Sequence, residues 1–564
     1  MKRPMLLAVL MSTAIPLMAL AQTAEDLKND QNTPANVLTY GMGYGHQRYS
    51  PLTQINRDNV RRLVPAWSYS MADNNGQQSH PLIHDGVMYI TDHAKTVALD
   101  ALTGKQIWKS VIEYAPETTR VVCCGIVNRG AAILDGRLFR TTLDANVIAL
   151  DAKTGKEIWR TKSADPKDGY SMTVAPLIAN GVVIAGVAGA EYGHRGYLEG
   201  YDPQTGKVLW RTWTIPEPGQ KGSETWPQND AWKTGGGSTW LTGSYDPELD
   251  LVFWGTGNPA PWNPLGRVGD NLYTNTTLAI RPKTGEIVWY YQNTPGDPFD
   301  YDGVNELVHA DLQVNGQTRK VIMQAHRNGF FYVLERATGK LVAANKFVKV
   351  NWADGIDLET GRPVWSAETK AVFDKGAGFK VRVWPALVGG KNWAPMSYSP
   401  QTGLAYVNSA DFGWDYEALP LEEIAKMKPG QTPYFGVKRE YVFDHPDGRG
   451  HLRAIDPLTG KSKWAMPLKS PNMAGTMVTA GGIVFTGQLT GEFVAVDAET
   501  GKLLWQFNMG AGSVGQPVTW ERDGKQYVTM TSGSSGPYVA RVGDPNLANV
   551  PPGGMVWTFK LFEN

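Results

Sequence analysis

The stretch "ALDAKTGKEIW", residues 149–159, decides the fold. Its Asp-x-x-Thr-Gly core is turn chemistry. The Asp side chain can bond its own backbone two residues on, and Gly supplies a positive φ. The strand that follows carries Trp159, whose large apolar face suits packing between neighbouring sheets. The same element recurs as "ALDALTGKQIW" (98–108), "GYDPQTGKVLW" (200–210), "AIRPKTGEIVW" (279–289), "VLERATGKLVA" (333–343), "YSPQTGLAYV" (398–407), "AIDPLTGKSKW" (454–464) and "AVDAETGKLLW" (495–505). The Thr-Gly pairs begin at 103, 154, 205, 284, 338, 402, 459 and 500, and six of the eight place Trp four residues after the Gly. Self-similarity at a period of roughly 40–55 residues means stacked β units, each the size of one four-stranded propeller blade. The longer steps after 205 and 338 leave room for inserted loops. The expected fold is all-β, one eight-bladed β-propeller over residues 22–564. The copies match neither the WD40 nor the kelch signature. The competing reading is a large β-sandwich with chance Thr-Gly turns.

Outward from the repeat, the N-terminus reads "MKRPMLLAVLMSTAIPLMALAQ". A basic start at Lys2 and Arg3, a short apolar run and a small-x-small Ala19-Leu20-Ala21 give the layout of a cleavable signal peptide over residues 1–21. No later stretch has the length and apolarity of a membrane span. Lys and Arg total 54 against 54 Asp and Glu, so nothing suggests a nucleic-acid or polybasic membrane footprint. The 62 glycines, 36 prolines and 20 tryptophans are spread along the chain without a linker or low-complexity tract, which favours one unit over several.

The only two cysteines, Cys123 and Cys124, are neighbours in "VVCCGIVNRG" (121–130). A bond between them closes almost no loop and stabilises little through chain entropy. Adjacent Cα atoms sit about 3.8 Å apart, while bridged cysteines usually sit about 4.4–6.8 Å apart. Two reduced cysteines packed as small hydrophobes is one reading. Export to an oxidising compartment makes a strained vicinal disulfide the other.

Four places depart from the repeat with polar residues. Glu191 interrupts the glycine-rich "GVAGAEYG" (186–193), and Asn258 sits among aromatics in "FWGTGNPAPWNP" (253–264). "TPGDPFDYDGVNEL" (294–307) holds Asp297, Asp300, Asp302 and Glu306. If that stretch is extended, Asp300 and Asp302 point to one side, where they repel unless a cation or proton intervenes. An oxygen-loving metal ion is the natural partner, and Glu191 and Asn258 offer the same ligand type. Arg327 precedes Asn-Gly in "QAHRNGFFYVLE" (324–335). Read alone, these are a strand-end carboxylate, an Asx-capped turn, an acidic surface turn and a hairpin residue. There is no Cys-x-x-Cys-His, no His-Glu-x-x-His and no Gly-x-Gly-x-x-Gly opening a helix. Redox chemistry here needs a cofactor that none of these motifs binds.

Taken in order, Cys-Cys followed by Asn-Arg-Gly, Gly-Ala-Glu, Gly-Thr-Gly-Asn-Pro-Ala-Pro-Trp, Asp-Tyr-Asp-Gly-Val-Asn and the Trp-bearing repeats resemble the soluble pyrroloquinoline quinone (PQQ) alcohol dehydrogenases, which include the methanol dehydrogenases. The likeness runs over roughly residues 35–562. It implies that the repeats are tryptophan-docking motifs. It also implies that Cys123 and Cys124 form a ring disulfide on one face of PQQ and that Trp240, in "GGGSTWLTG", stacks on the other. Arg129, Thr173, Gly189, Ala190, Arg327 and Asn392 take cofactor-binding positions. Glu191, Asn258 and Asp300 match metal ligands, Asp300 also the catalytic base, and Trp262 walls the substrate pocket. Gln78, Ala188 and Met473 depart from the calcium-type methanol dehydrogenases. Asp302 departs too, since calcium-type enzymes carry a small uncharged residue there, and an Asp resembles the lanthanide-dependent branch. One lanthanide ion is therefore expected, with Ca2+ as the alternative.

The implied activity is oxidation of primary alcohols to aldehydes in the periplasm. The metal polarises the quinone carbonyl, Asp300 takes the hydroxyl proton and hydride passes to PQQ. With no haem motif in the chain, a separate cytochrome c is the electron acceptor. A homodimer is compatible with this reading. The alternatives are a non-enzymatic envelope propeller scaffold and a quinoprotein acting on sugars or polyols.

Overall fold

The computed structural model describes residues 22–444, 449–534 and 543–563. The proposed signal peptide, residues 1–21, lies outside them. Among the described residues, eight sheets carry four strands each, one of them extended by a short fifth. The first shows the pattern: Leu82–His84, Val87–Thr91, Lys95–Asp100 and Gln106–Val111 form an antiparallel meander. Inner strands such as Val182–Gly186 and Leu251–Gly255 are buried throughout, while the outermost, such as Glu157–Lys162, alternates toward solvent. That is the burial expected of sheets stacked face against face. Two smaller sheets are insertions: the ribbon Ala353–Ile356/Pro363–Trp365, and a three-stranded sheet of Lys380–Val383, Gly413–Ala418 and Val437–Val442.

The repeat works as a relay between sheets. In the turn at 151–155, Asp151 accepts hydrogen bonds from the backbone of Lys153 and Thr154, and Gly155 has φ 70°. A Cβ on Gly155 would lie 2.4 Å from the Trp108 ring of the preceding sheet. Glycine is thus required both for its conformation and for the close approach of the indole. Trp108 Nε1 then donates to the Ala152 carbonyl at 3.0 Å. The same bond joins Trp159 to Pro203, Trp210 to Pro282, Trp289 to Arg336 and Trp464 to Ala498. Where the fifth copy lacks Trp, Asn345 substitutes, donating to Leu458 at 2.9 Å. Trp505 donates to Leu63, and Trp67 donates to Ala101 in the first sheet, so the relay returns to its start.

The one-copy-per-sheet reading needs correction. The sixth copy, at Thr402-Gly403, joins Ser397–Ser399 to Leu404–Ala410, while the seventh joins Gly450–Ile455 to Ser462–Leu468 in the same sheet. The eighth sheet has no copy. It pairs Val518–Arg522, Lys525–Ser532 and Met555–Leu561 with the N-terminal strand Leu63–Ser70. A further Asp-x-x-Thr-Gly, at Asp357 to Gly361, turns the inserted ribbon, with Asp357 accepting from Thr360. Thr-Gly is therefore a turn signal that counts hairpins, not sheets.

This arrangement places the functional site. In a four-stranded meander, the turns joining strands one to two and three to four lie at one end. The two-to-three loops and the links to the next sheet lie at the other. Seven of the eight Thr-Gly copies are three-to-four turns of these sheets and the sixth is a one-to-two turn, so all eight lie at the same, regular end. The segments around 121–130, 188–191, 256–262, 294–307, 326–328 and 384–396 all leave from the opposite end.

Candidate active site

The acidic segment 294–307 is a loop between Ile287–Gln292 and Val308–Val314, not an extended strand. Asp297 accepts from the amides of Phe299 (2.8 Å) and Tyr301 (2.7 Å) and from Asn275 Nδ2 (2.8 Å), which folds the loop over its own carboxylate. Asp300 then adopts φ 63°. Asp300 and Asp302 do converge, but through this turn and not through strand periodicity. Glu306 points elsewhere and forms a buried pair with Lys391 at 2.7 Å. Of the four acids, Asp297 and Glu306 serve the loop, and Asp300 and Asp302 face a cavity.

Arg327 binds both cavity carboxylates. Its Nη2 lies 3.6 Å from Asp300 Oδ2, and its Nη1 donates to Asp302 Oδ2. Asp302 Oδ1 accepts from the backbone amide of Asn258 at 2.7 Å. Burial raises the proton affinity of Asp300 well above the ordinary carboxylate range; Arg327 opposes this, while Asp302 and Glu191 add to it. Burial likewise raises Asp302. Arg327 loses from its own burial, but the two carboxylates hold its proton more firmly than usual.

Two buried oxygens have no hydrogen-bond partner here, Asp300 Oδ1 and Asn258 Oδ1. Orphaned acceptors beside a carboxylate pair are costly unless a cation or a donor satisfies them. Asp300, Asp302, Glu191 and Asn258 all offer oxygen, the donor type a hard cation such as Ca2+ or a lanthanide takes. Among the described residues, however, the carboxylates of Glu191, Asp300 and Asp302 do not all lie within 4.8 Å of one another, and Arg327 pairs with the two aspartates. The Glu191 carboxylate lies within 4.8 Å of both cysteine sulfurs. Those sulfurs are joined as a Cys123–Cys124 disulfide and offer no thiolate to a metal.

Across the cavity, the disulfide and Trp240 line the wall together with Arg129, Thr173, Gly189, Arg327 and Asn392. Arg129 donates to Thr173 Oγ1 at 2.5 Å, and its guanidinium carbon lies 4.7 Å from the Trp240 ring and 5.1 Å from Trp393. Burial lowers Arg129 to about 10, which leaves it charged at neutral pH. Its Nε has no partner. A buried, incompletely bonded guanidinium beside two indoles suits a planar anionic molecule. Gln78, Ala188 and Met473 line the same space. Asn258 and Ala190 are not on the cavity wall. Asn258 joins the site through its amide bond to Asp302, and Ala190 is fully buried in a short 3-10 turn. Asn392 already bonds Val388 and Trp393 with its side-chain amide.

The mouth was not legible beforehand, apart from Trp262. Trp262 packs on Phe435 with ring centroids 4.3 Å apart, and Arg439 lies over both. Leu387, Val388 and Tyr441 complete this wall. Phe435, Arg439 and Tyr441 come from the insertion between the sixth and seventh copies, where "FGVKREY" carries no motif. Trp393 had a signal, since it follows Asn392 directly.

The family model "PQQ: Glucose/ethanol/alcohol dehydrogenase, beta-propeller domain" matches residues 38–355 and 437–528. The quinoprotein alcohol dehydrogenase PedH of Pseudomonas putida is 41% identical over 99% of this chain and 97% of its own. A quinoprotein ethanol dehydrogenase of Pseudomonas aeruginosa is 40% identical over 98% of this chain and 95% of its own. The solved structure of a europium-containing methanol dehydrogenase superposes with a TM-score of 0.89 at 37% identity, covering 95% of this chain and all of that one. With this extent of agreement in sequence and fold, the chain belongs to the PQQ-dependent alcohol dehydrogenase family.

Proposed function

We propose that this protein is a periplasmic alcohol dehydrogenase that oxidises primary alcohols to aldehydes, with PQQ and one lanthanide ion, and passes electrons to a cytochrome c. The observation that carries the reading is the convergence of Asp300, Asp302 and Arg327 at one end of the cavity, with an orphaned oxygen on Asp300 and another on Asn258, whose backbone amide bonds Asp302. The eight sheets and their closed relay support one eight-bladed, tryptophan-docked propeller over residues 22–564.

When bound, PQQ supplies the two-electron acceptor and the metal a Lewis acid. Glu191, Asn258, Asp300 and Asp302 would hold the metal, and Cys123–Cys124, Trp240, Arg129 and Thr173 would hold the cofactor, the last two by its charged groups. Asp300 takes the alcohol's hydroxyl proton as general base. Burial raises its proton affinity, which makes it a stronger base than an exposed carboxylate, and Arg327 opposes that rise. Arg327 also stabilises negative charge that develops nearby. Trp262 and Phe435 exclude water from the reacting end. Asp302 adds a third carboxylate to the donor set, which suits a trivalent ion.

The test is alcohol-dependent dye reduction by protein reconstituted with PQQ and either Ca2+ or a light lanthanide. Turnover is expected with the lanthanide, and D302A should lose most of it. Full activity with Ca2+ alone, unaltered in D302A, overturns the metal assignment. D300A should lower turnover by a factor on the order of 10²–10⁴. Full turnover in D300A removes Asp300 as the base.

A further inference from the structure

The mouth of the cavity carries a charge that the chemistry proposed above does not use. Arg439 lies on Val437–Val442, and alternation along that strand puts residues 437, 439 and 441 on one face. Arg439 and Tyr441 both line the cavity. Lys438 lies on the other face and is paired with Glu417 at 2.6 Å. Arg439 has no ion-pair or hydrogen-bond partner among the described residues. Its only contacts of this kind are with rings: the guanidinium carbon is 4.8 Å from the Phe435 centroid and 5.3 Å from that of Trp262. Trp262 is 3% exposed, and its Nε1 is a buried donor with no acceptor. A permanently charged group without a protein partner among the described residues therefore stands at the open end of a pocket whose far end is carboxylate-rich.

We infer that Arg439 is a specificity-determining residue and that the preferred substrates are primary alcohols bearing a carboxylate at the end remote from the hydroxyl. This rests on the alcohol dehydrogenase reading and names its substrate class. The two ends of the cavity orient such a molecule. Asp300 and Asp302 repel its carboxylate and receive its hydroxyl, while Arg439 receives the carboxylate at the mouth. A guanidinium already laid flat on two rings keeps its edge available for a planar, bidentate acceptor. The ring pair offers a stacking face to an aromatic or alkyl spacer. A neutral alcohol uses the rings but leaves the guanidinium to water.

The test compares kcat/KM for matched pairs in the reconstituted holoenzyme: para-(hydroxymethyl)benzoate against benzyl alcohol, and omega-hydroxyalkanoates of increasing length against the corresponding 1-alkanols. The wild type should favour the acid in at least one pair, mainly through KM, and raising ionic strength should reduce that preference. The acid-to-neutral ratio should fall about tenfold in R439Q, fall further in R439E and recover in part in R439K. If the neutral alcohols are oxidised but no acid is favoured, or the ratio is the same in R439Q and R439E, the inference is overturned while the dehydrogenase reading stands. If Arg439 instead meets the electron acceptor, the variants will slow turnover with a cytochrome and leave the substrate ratio unchanged, which also overturns it. Turnover of none of these alcohols by the wild type defeats the underlying reading itself.

Discussion

At the scale of the residue, the site depends on atoms that are absent as much as on those present. A Cβ at Gly257 would stand 2.6 Å from Asp302 Oδ1 and 2.9 Å from Ser238 Oγ, closer than real contacts allow. The Asp302 carboxylate can sit over the backbone only because residue 257 is glycine. We expect G257A to fold, with a far-ultraviolet spectrum like the wild type's, yet to bind its metal about 10–100-fold more weakly by titration, the usual effect of disturbing a ligand's support. Wild-type affinity would show that the carboxylate has room to shift. Much at this scale could be read in advance. Residue types in order pointed to Asp300, Asp302, Arg327, Asn258 and the cysteine pair. What could not be read is how Asp300 and Asp302 meet. Strand alternation suggested it, whereas an Asp297-capped turn accomplishes it, and side-chain caps leave no periodic trace in a sequence.

At the scale of the element, each Trp-bearing strand is held by an indole that covers the next turn's glycine and bonds its carbonyl. Trp159 lies against Gly206 and donates to Pro203 at 3.1 Å. W159A removes both contacts and opens a gap between two sheets that have little means to close it. It should cost about 3 kcal/mol by urea unfolding, with the metal site unaltered. A loss below about 1 kcal/mol would mean that the indole merely shields the turn. The Thr-Gly repeat announced these elements because turn chemistry and Trp packing are local. It miscounted them because the same turn serves any hairpin, including the Thr402-Gly403 and Asp357–Gly361 hairpins. The Phe435 and Arg439 strand was invisible for the opposite reason. It belongs to an insertion whose partners, Lys380–Val383 and Gly413–Ala418, are remote from any repeat.

At the scale of the whole molecule, the N-terminal strand Leu63–Ser70 and the last described strand, Met555–Leu561, close the ring, Leu63 pairing with Leu561 and Ser70 with Met555. Removing residues 22–71 would uncover the long edge of Met555–Leu561 and the Gly104 turn that Trp67 covers. Such an edge is a template for pairing between chains. The truncated protein should elute as oligomers in size-exclusion chromatography and lose its cooperative urea transition. A monomer with a sharp transition would show that the remaining sheets stand without closure. The closure also has a consequence in time. The strand that completes the ring is made among the first, and its partner is made nearly last. The final sheet therefore cannot exist until synthesis is all but finished, and the loop it closes is among the longest the chain permits, so folding must be slow. For the exported protein proposed above this is an advantage: the chain stays unlocked, and able to be threaded, until the strand ending at Leu561 has been made.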